Sequence, residues 1–271
     1  MITKEQFIRI HDQINIELRD CIESILTKNP EGFLFLLANG EYMSSINRSD
    51  LNPHVVDYAL DQMKDNTRNK FLEQFLNTYY TFPSCQEKIE DDFYRINLEL
   101  MIYTHIWEST WILKILYRIA YLLSEGVYKW AVPLPEHGKG KFIEEDIRDI
   151  IINVCPKLGN HIKDSYNREL RNAFAHSDFS INCESRLIKL HNTKTTRELT
   201  LNEWSIIFVS TFLLAYFLNN KFFDLRRNIV TIFDRNEFPV ELPRRSGDFV
   251  KVVLVYDIDN DRFHFKHNIN K

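Results

Sequence analysis

The longest periodic stretch of the chain is IEDDFYRINLELMIYTHIWESTWILKILYRIAYLLS, residues Ile89 to Ser124, and its reading decides the fold class. Phe93, Ile96, Leu100, Tyr103, Trp107, Trp111, Leu113, Leu116, Ile119 and Leu122 crowd most of its helical circumference. A helix that is apolar nearly all round must be enclosed by other helices, so the stretch predicts the centre of a bundle.

The composition agrees. Only 7 glycines and 8 prolines in 271 residues leave little material for the tight turns of an all-β fold, so helix should dominate. Upstream, Phe7, Ile10, Ile14, Leu18 and Ile22 fall on one face and predict an amphipathic helix over Ile2 to Leu26. Shorter helical patterns cover Pro53 to Met63 and Arg68 to Tyr80, with the turn-forming "NRSDLNP" ahead of them and "FPSC" after.

Downstream, "VPLPEHGKGK" predicts an exposed loop, followed by helices over Ile143 to Val154 and Leu158 to His176 with Pro156 between them. Phe179 to Cys183 and Leu187 to His191 alternate with period two and predict a short hairpin. Thr200 and Glu203 have the form of a capping box, so a helix starts there and runs to about Phe223. "DFVKVVLVYDI" and "RFHFKH" flank the turn at Asp259-Asn260-Asp261 and predict a terminal hairpin. The expected architecture is therefore mainly α, in three parts: an N-terminal helical segment (1–85), a helical bundle (86–225) and a C-terminal β-hairpin appendage (226–271).

Several function classes are excluded. Cys21, Cys85, Cys155 and Cys183 lie far apart without a CxxC pair, which argues against a zinc ribbon or a stapled secreted domain; reduced thiols in a cytoplasmic protein are the expectation. The first residues lack the apolar core of an export signal, and Ser205 to Leu218 is too short to span a bilayer, so no membrane role is expected. A net charge of −4 is not that of a protein that coats duplex nucleic acid. Asp257, Asp259 and Asp261 open like a calcium loop, yet Arg262 stands where that loop needs glycine and Asn268 where it needs glutamate. No HExxH, P-loop or GxSxG is present, and no metal or cofactor is expected.

One motif carries chemistry. An arginine followed by a histidine five or six residues later occurs four times, at Arg48/His54, Arg171/His176, Arg186/His191 and Arg262/His267, so spacing alone decides nothing. The first pair spans Pro53, and the last two lie in alternating patterns that turn the side chains apart. Only "NRELRNAFAHSDFSI", Asn167 to Ile181, puts its pair on a helix. At about 100° per residue, Leu170, Ala173 and Phe174 form the core face, while Arg171 and His176 flank the opposite side about 140° apart. Asn172 is four residues from His176 and within hydrogen-bonding reach of it. Ala175 lies between the pair and would let a second copy approach closely about a twofold axis.

Arg171-Asn172-x-x-Ala175-His176 at the end of a bundle helix, after a long core helix, resembles the motif of the HEPN family. The likeness covers about Ile89 to Phe223. It implies a dimeric helical bundle that cleaves RNA without metal: His176 as general acid or base at a ribose 2′-hydroxyl, Arg171 stabilising the phosphorane, and Asn172 orienting the pair. The products would be a 2′,3′-cyclic phosphate and a 5′-hydroxyl, as for a toxin or an anti-phage or stress effector held by an antitoxin or regulator. Histidine and arginine suit these tasks as residue types.

A competing reading pairs Arg171 with a nearby carboxylate such as Glu169 or Asp178, lets His176 cap the last carbonyls of its helix, and leaves a non-catalytic HEPN-like interaction module. His105, Glu108 and Asp178 are the candidates for orienting the pair. Lys221, Arg226 and Arg227, with Arg235 and the interleaved Phe222 and Phe223, are candidates for contacting RNA.

Overall fold

The computed structural model describes residues 2–43, 53–57, 59–82, 88–192, 197–244 and 246–266, with backbone alone for 59–66. Most of these residues are helical. Helix α1 (Lys4–Lys28) opens on a capping box, Thr3 and Gln6 each accepting the other's backbone amide, and buries Ile10, Ile14, Leu18 and Ile22 as their spacing predicts. Asn29 then caps α2 (Pro30–Leu37), a short, almost wholly buried helix that the sequence reading passed over. Strands β1 (Glu41–Tyr42) and β2 (His54–Val55) pair antiparallel ahead of α3 (Ala59–Tyr79). The helix expected from Pro53 thus begins later, and the two patterns flanking residue 65 belong to one helix.

The stretch Ile89 to Ser124 is two helices, α4 (Phe93–Glu108) and α5 (Thr110–Ser124). Ser109 between them leaves the helical region (φ −65°, ψ 115°), and its hydroxyl accepts the Ile112 amide and, at 2.5 Å, an Arg68 nitrogen. A serine that caps the next turn competes with helix continuation, which is why the apolar pattern runs through a break it does not register. Phe93, expected in the core, is exposed.

Helix α6 (Lys139–Lys141) passes through a π-helical stretch, Phe142–Arg148, into α7 (Asp149–Val154), and α8 (Pro156–Ser165) follows. The helix predicted over Leu158 to His176 is broken at Tyr166, because Asn167 caps a separate α9 (Arg168–Ala175). Strands β3 (Phe179–Asn182) and β4 (Leu187–Leu190) form the expected hairpin, and β5 (Arg197–Thr200) adds a third strand that was not foreseen. The capping box at Thr200 and Glu203 starts α10 (Leu201–Arg227), followed by α11 (Ile229–Phe233). A meander of β6 (Glu237–Pro243), β7 (Phe249–Asp257) and β8 (Arg262–Lys266) follows, one strand more than the predicted hairpin.

Helix α10 is the axis of the bundle and packs against α1, α3, α4 and α8. It is the only helix among the described residues long and apolar enough to cross a membrane, but 72% of its apolar window is buried inside the fold, so it is a core helix. The C-terminal sheet turns Phe238, Val240, Leu242, Leu254, Tyr256 and Phe263 into the same buried cluster as Ile14, Trp107 and Leu213.

Two long-range links hold this arrangement. Cys21 on α1 and Cys155 between α7 and α8 form a disulfide across 134 residues, correcting the expectation of reduced thiols; the packing of α1 on α8 brings together residues whose spacing gave no hint. Arg226 makes a bidentate pair with buried Asp57, at 2.6 and 2.8 Å, and donates to the Leu37 and Asp261 carbonyls. Asp57 also accepts the Phe263 amide at 2.6 Å. Arg226, a candidate RNA contact from the sequence, is therefore engaged in a structural tie, which the sequence could not show because its partner stands 169 residues away.

Two stability measurements check this account. Arg226→Ala strands the Asp57 carboxylate and should lower the urea unfolding free energy by about 3–5 kcal/mol, while exposed Arg227→Ala should change it by less than about 0.5 kcal/mol. His161 on α8 is buried with its Nε2 3.3 Å from the Ser210 carbonyl, and burial lowers its pKa below the ordinary 6.5. The unfolded chain then takes this proton first, so stability should fall as pH drops below about 6.5 toward the depressed folded value. The urea midpoint of His161→Gln should vary less between pH 7 and 5 than that of the parent; equal slopes would refute the assignment.

Candidate active site

Helix α9 begins where the Asn167 side chain accepts the Leu170 amide (2.9 Å) while its own amide donates to the Tyr103 hydroxyl (3.1 Å). Leu170, Ala173 and Phe174 face inward as the helical angles require, and Phe174 meets Tyr103, Trp204 and Phe179 edge-on. The helix ends in a Schellman motif: the Asp178 amide reaches the Ala173 carbonyl (2.8 Å), the Ser177 amide the Phe174 carbonyl (3.3 Å), and Ser177 adopts φ +60°. His176 is the residue at the C-cap.

The outward face carries the motif. Arg171 is partly buried and forms an ion pair with Glu108, the last residue of α4, and its Nη1 donates to the Asn172 side-chain oxygen at 2.7 Å. Glu108 also accepts Lys139 Nζ at 2.7 Å, so one carboxylate is shared by two cations and one positive charge is left over. The Arg171 Nε is buried without a hydrogen-bond partner, and burial lowers the guanidinium pKa, though an arginine stays protonated at any relevant pH.

Asn172 thus braces Arg171 and not the imidazole; His176 donates its backbone amide to the Asn172 carbonyl (3.0 Å), and its exposed ring has no hydrogen-bond partner among the described residues. Neither Glu169 nor Asp178 pairs with Arg171: Glu169 binds Arg197 at 2.9 Å, and Asp178 bonds through its backbone alone among the described residues. His105 lies on the exposed side of α4 without a hydrogen bond among the described residues, so Glu108 is the one orienting candidate in contact with the pair.

The remaining candidates are elsewhere. Lys221 sits on the seam between α1 and α10 near Arg19 and Glu23, its pKa lowered chiefly by burial. Arg227 is exposed and lies 4.1 Å over the Phe223 ring. Of the other arginine and histidine pairs, Arg186 bonds Asp91 and His191 faces Ser180, while Arg48 and His267 fall outside the described residues. Lys139 was missed because it belongs to a glycine-rich connection with no periodicity to place it.

No family model, curated protein or solved structure matches this chain. The site comprises a braced, partly desolvated guanidinium, a second cation beside it, and an accessible imidazole at the end of the same short helix.

The helix end can be tested directly. Ser177 holds a left-handed conformation that disfavours a side chain by roughly 1–2 kcal/mol. Ser177→Gly should raise the unfolding free energy by about 0.5–1 kcal/mol, and Ser177→Val should lower it; a destabilising glycine in urea titration would contradict this geometry.

Proposed function

We propose that the chain is a metal-independent endoribonuclease of HEPN type, acting as a homodimer through α9. The observation that carries this reading is the contrast between the two motif residues: the Arg171 guanidinium is fixed by Glu108 and Asn172, while the His176 ring is open to solvent and unengaged among the described residues. Phosphoryl chemistry needs both a fixed array of donors and a group free to move a proton. In this reading His176 takes the proton of a ribose 2′-hydroxyl, the oxygen attacks the adjacent phosphorus, and Arg171 with Lys139 offsets charge on the phosphorane. The 5′-oxygen leaves as the hydroxyl by taking up the proton that His176 has accepted, and a 2′,3′-cyclic phosphate remains. Exposed Ala175 leaves room for a second copy to bring two such sets into one cleft. A role as toxin or anti-phage or stress effector, under a regulator, belongs to the same reading.

One observation favours the other reading, a non-catalytic interaction module. Glu108 already neutralises Arg171, and a phosphate would have to displace it.

Incubation of the purified protein with total cellular RNA in EDTA separates the two. Cleavage that leaves 2′,3′-cyclic phosphate ends, reduced at least about 100-fold in His176→Ala and Arg171→Ala with unchanged urea midpoints, supports the enzyme. An intact dimer that leaves every RNA uncut supports the module, and unfolding of the Arg171 variant removes the evidence for its catalytic role.

A further inference from the structure

Away from the motif, an open cavity of about 260 Å³ lies where α2, α3, α5 and α10 meet the turn between β7 and β8. Its lining is unusual in composition: four asparagines, Asn39, Asn69, Asn219 and Asn260, and three aromatic rings, Trp111, Phe222 and Phe223. The amides are underused. Asn219 is only 6% exposed yet forms no hydrogen bond through its side chain among the described residues, and the Asn69 Oδ1 is buried without a partner. A buried carbonyl oxygen left unpaired, as at Asn69, costs about 1–3 kcal/mol, which a donor entering the cavity would recover. Asn39 and Asn260 each commit only the amide nitrogen, to Asp57 at 3.4 Å and to Asp257 at 2.7 Å, which leaves their oxygens as acceptors. The cavity therefore presents both amide donors and carbonyl acceptors.

The aromatic walls differ, since Phe222 belongs to the buried core while Trp111 and Phe223 are more open. Trp111, Phe222 and Phe223 stack on no other ring among the described residues, and Arg227 lies on Phe223 alone. The cations are not free: Arg226 is engaged by Asp57 and by two carbonyls, and Asp261 lies 3.6 Å from the Arg226 Nε and 3.9 Å from the Arg227 Nε. A phosphate is thus poorly served, whereas a neutral planar group with donors and acceptors along its edge satisfies the amides and stacks on the rings. The volume, just under the roughly 300–1,000 Å³ of drug-sized sites, fits one such ring system.

We propose that this cavity binds a single nucleobase, its edge read by Asn69 and Asn219 and its face stacked on Trp111. Base stacking on aromatic side chains with amide readout of the edge is the means by which unstacked bases are recognised. The base can arrive as a free nucleoside or as one residue of an RNA strand; the strand source rests on the ribonuclease reading above, the nucleoside source does not.

The test is equilibrium binding, independent of cleavage. Adenosine, guanosine, cytidine and uridine, and the matching five-residue oligoribonucleotides in EDTA, are titrated calorimetrically into the intact protein, its His176→Ala form, and the Asn219→Leu, Asn69→Leu and Trp111→Ala variants. Saturable binding of one base type, weakened at least tenfold by Trp111→Ala and by either asparagine change in the His176→Ala background as in the parent, is the expected result. The Asn69 variant, on a different helix, decides the matter if Asn219→Leu fails to fold. Binding of nucleosides identifies a free ligand, and binding of oligomers alone identifies a strand. The proposal is overturned if neither binds, or if binding survives both the Trp111 and Asn69 changes.

Discussion

Arg226 sets both terminal nitrogens of its guanidinium on the Asp57 carboxylate at a point where neither side chain has appreciable contact with water. Isolated charges there would cost several kcal/mol each, so the pair stands only because nearly every polar atom has a partner. The Leu37 carbonyl comes from the end of α2, the Phe263 amide from β8 and the Asp261 carbonyl from the turn before it, while Phe263 also offers its ring to the guanidinium at 5.1 Å. Four separated segments are thereby fixed around one ion pair. Asp57 and Asp261 both hold left-handed backbone conformations, at φ +47° each, a strain of the kind that persists only where surrounding contacts over-determine it. An apolar replacement of equal volume could match the pair in stability, but it would not specify which carbonyl and which amide meet there.

The same junction shapes the asparagine cavity, since Leu37, Arg226 and Asp261 form part of its wall. Its opposite wall depends on the break at Ser109. Arg68 of α3 donates to the Ser109 hydroxyl, placing Asn69, the next residue, beside the cavity, while Trp111 lies two residues past the break. On the near side of the break Glu108 meets Arg171. One capped serine therefore separates the carboxylate that serves the motif from the indole that serves the cavity, and a continuous helix would rotate them by the fixed angle of the helical repeat instead.

Local rules made much of this legible. The Thr200 box marks the start of α10, the spacing of Ile10, Ile14, Leu18 and Ile22 names the buried face of α1, and Leu170, Ala173 and Phe174 had to turn inward on any helix. What failed to show depends on distance or on context. Ser109 sits among apolar residues whose periodicity continues past it, so only its hydroxyl bonds reveal the break. Strand β6, EFPVELP, contains two prolines and so lacks the signal of a paired strand, although they stand at positions 239 and 243 with the buried residues between and beside them. The partners of Arg226, Cys21 and Arg171 are set by long-range packing, which no short window of sequence records.

Glu108 gives the motif its particular electrostatic character. A carboxylate against a partly desolvated guanidinium fixes its position, and the same charge opposes any phosphate that would take its place. Lys139 alters the balance, because two cations share one anion and the local excess is positive. A phosphate that displaced Glu108 from Arg171 would leave the carboxylate on Lys139. The bracing of Arg171 by Asn172 survives that exchange, since it does not involve Glu108. Arg171 is thus held from two sides, by Glu108 and by Asn172, and only the first of these contacts is one that an anion would compete for.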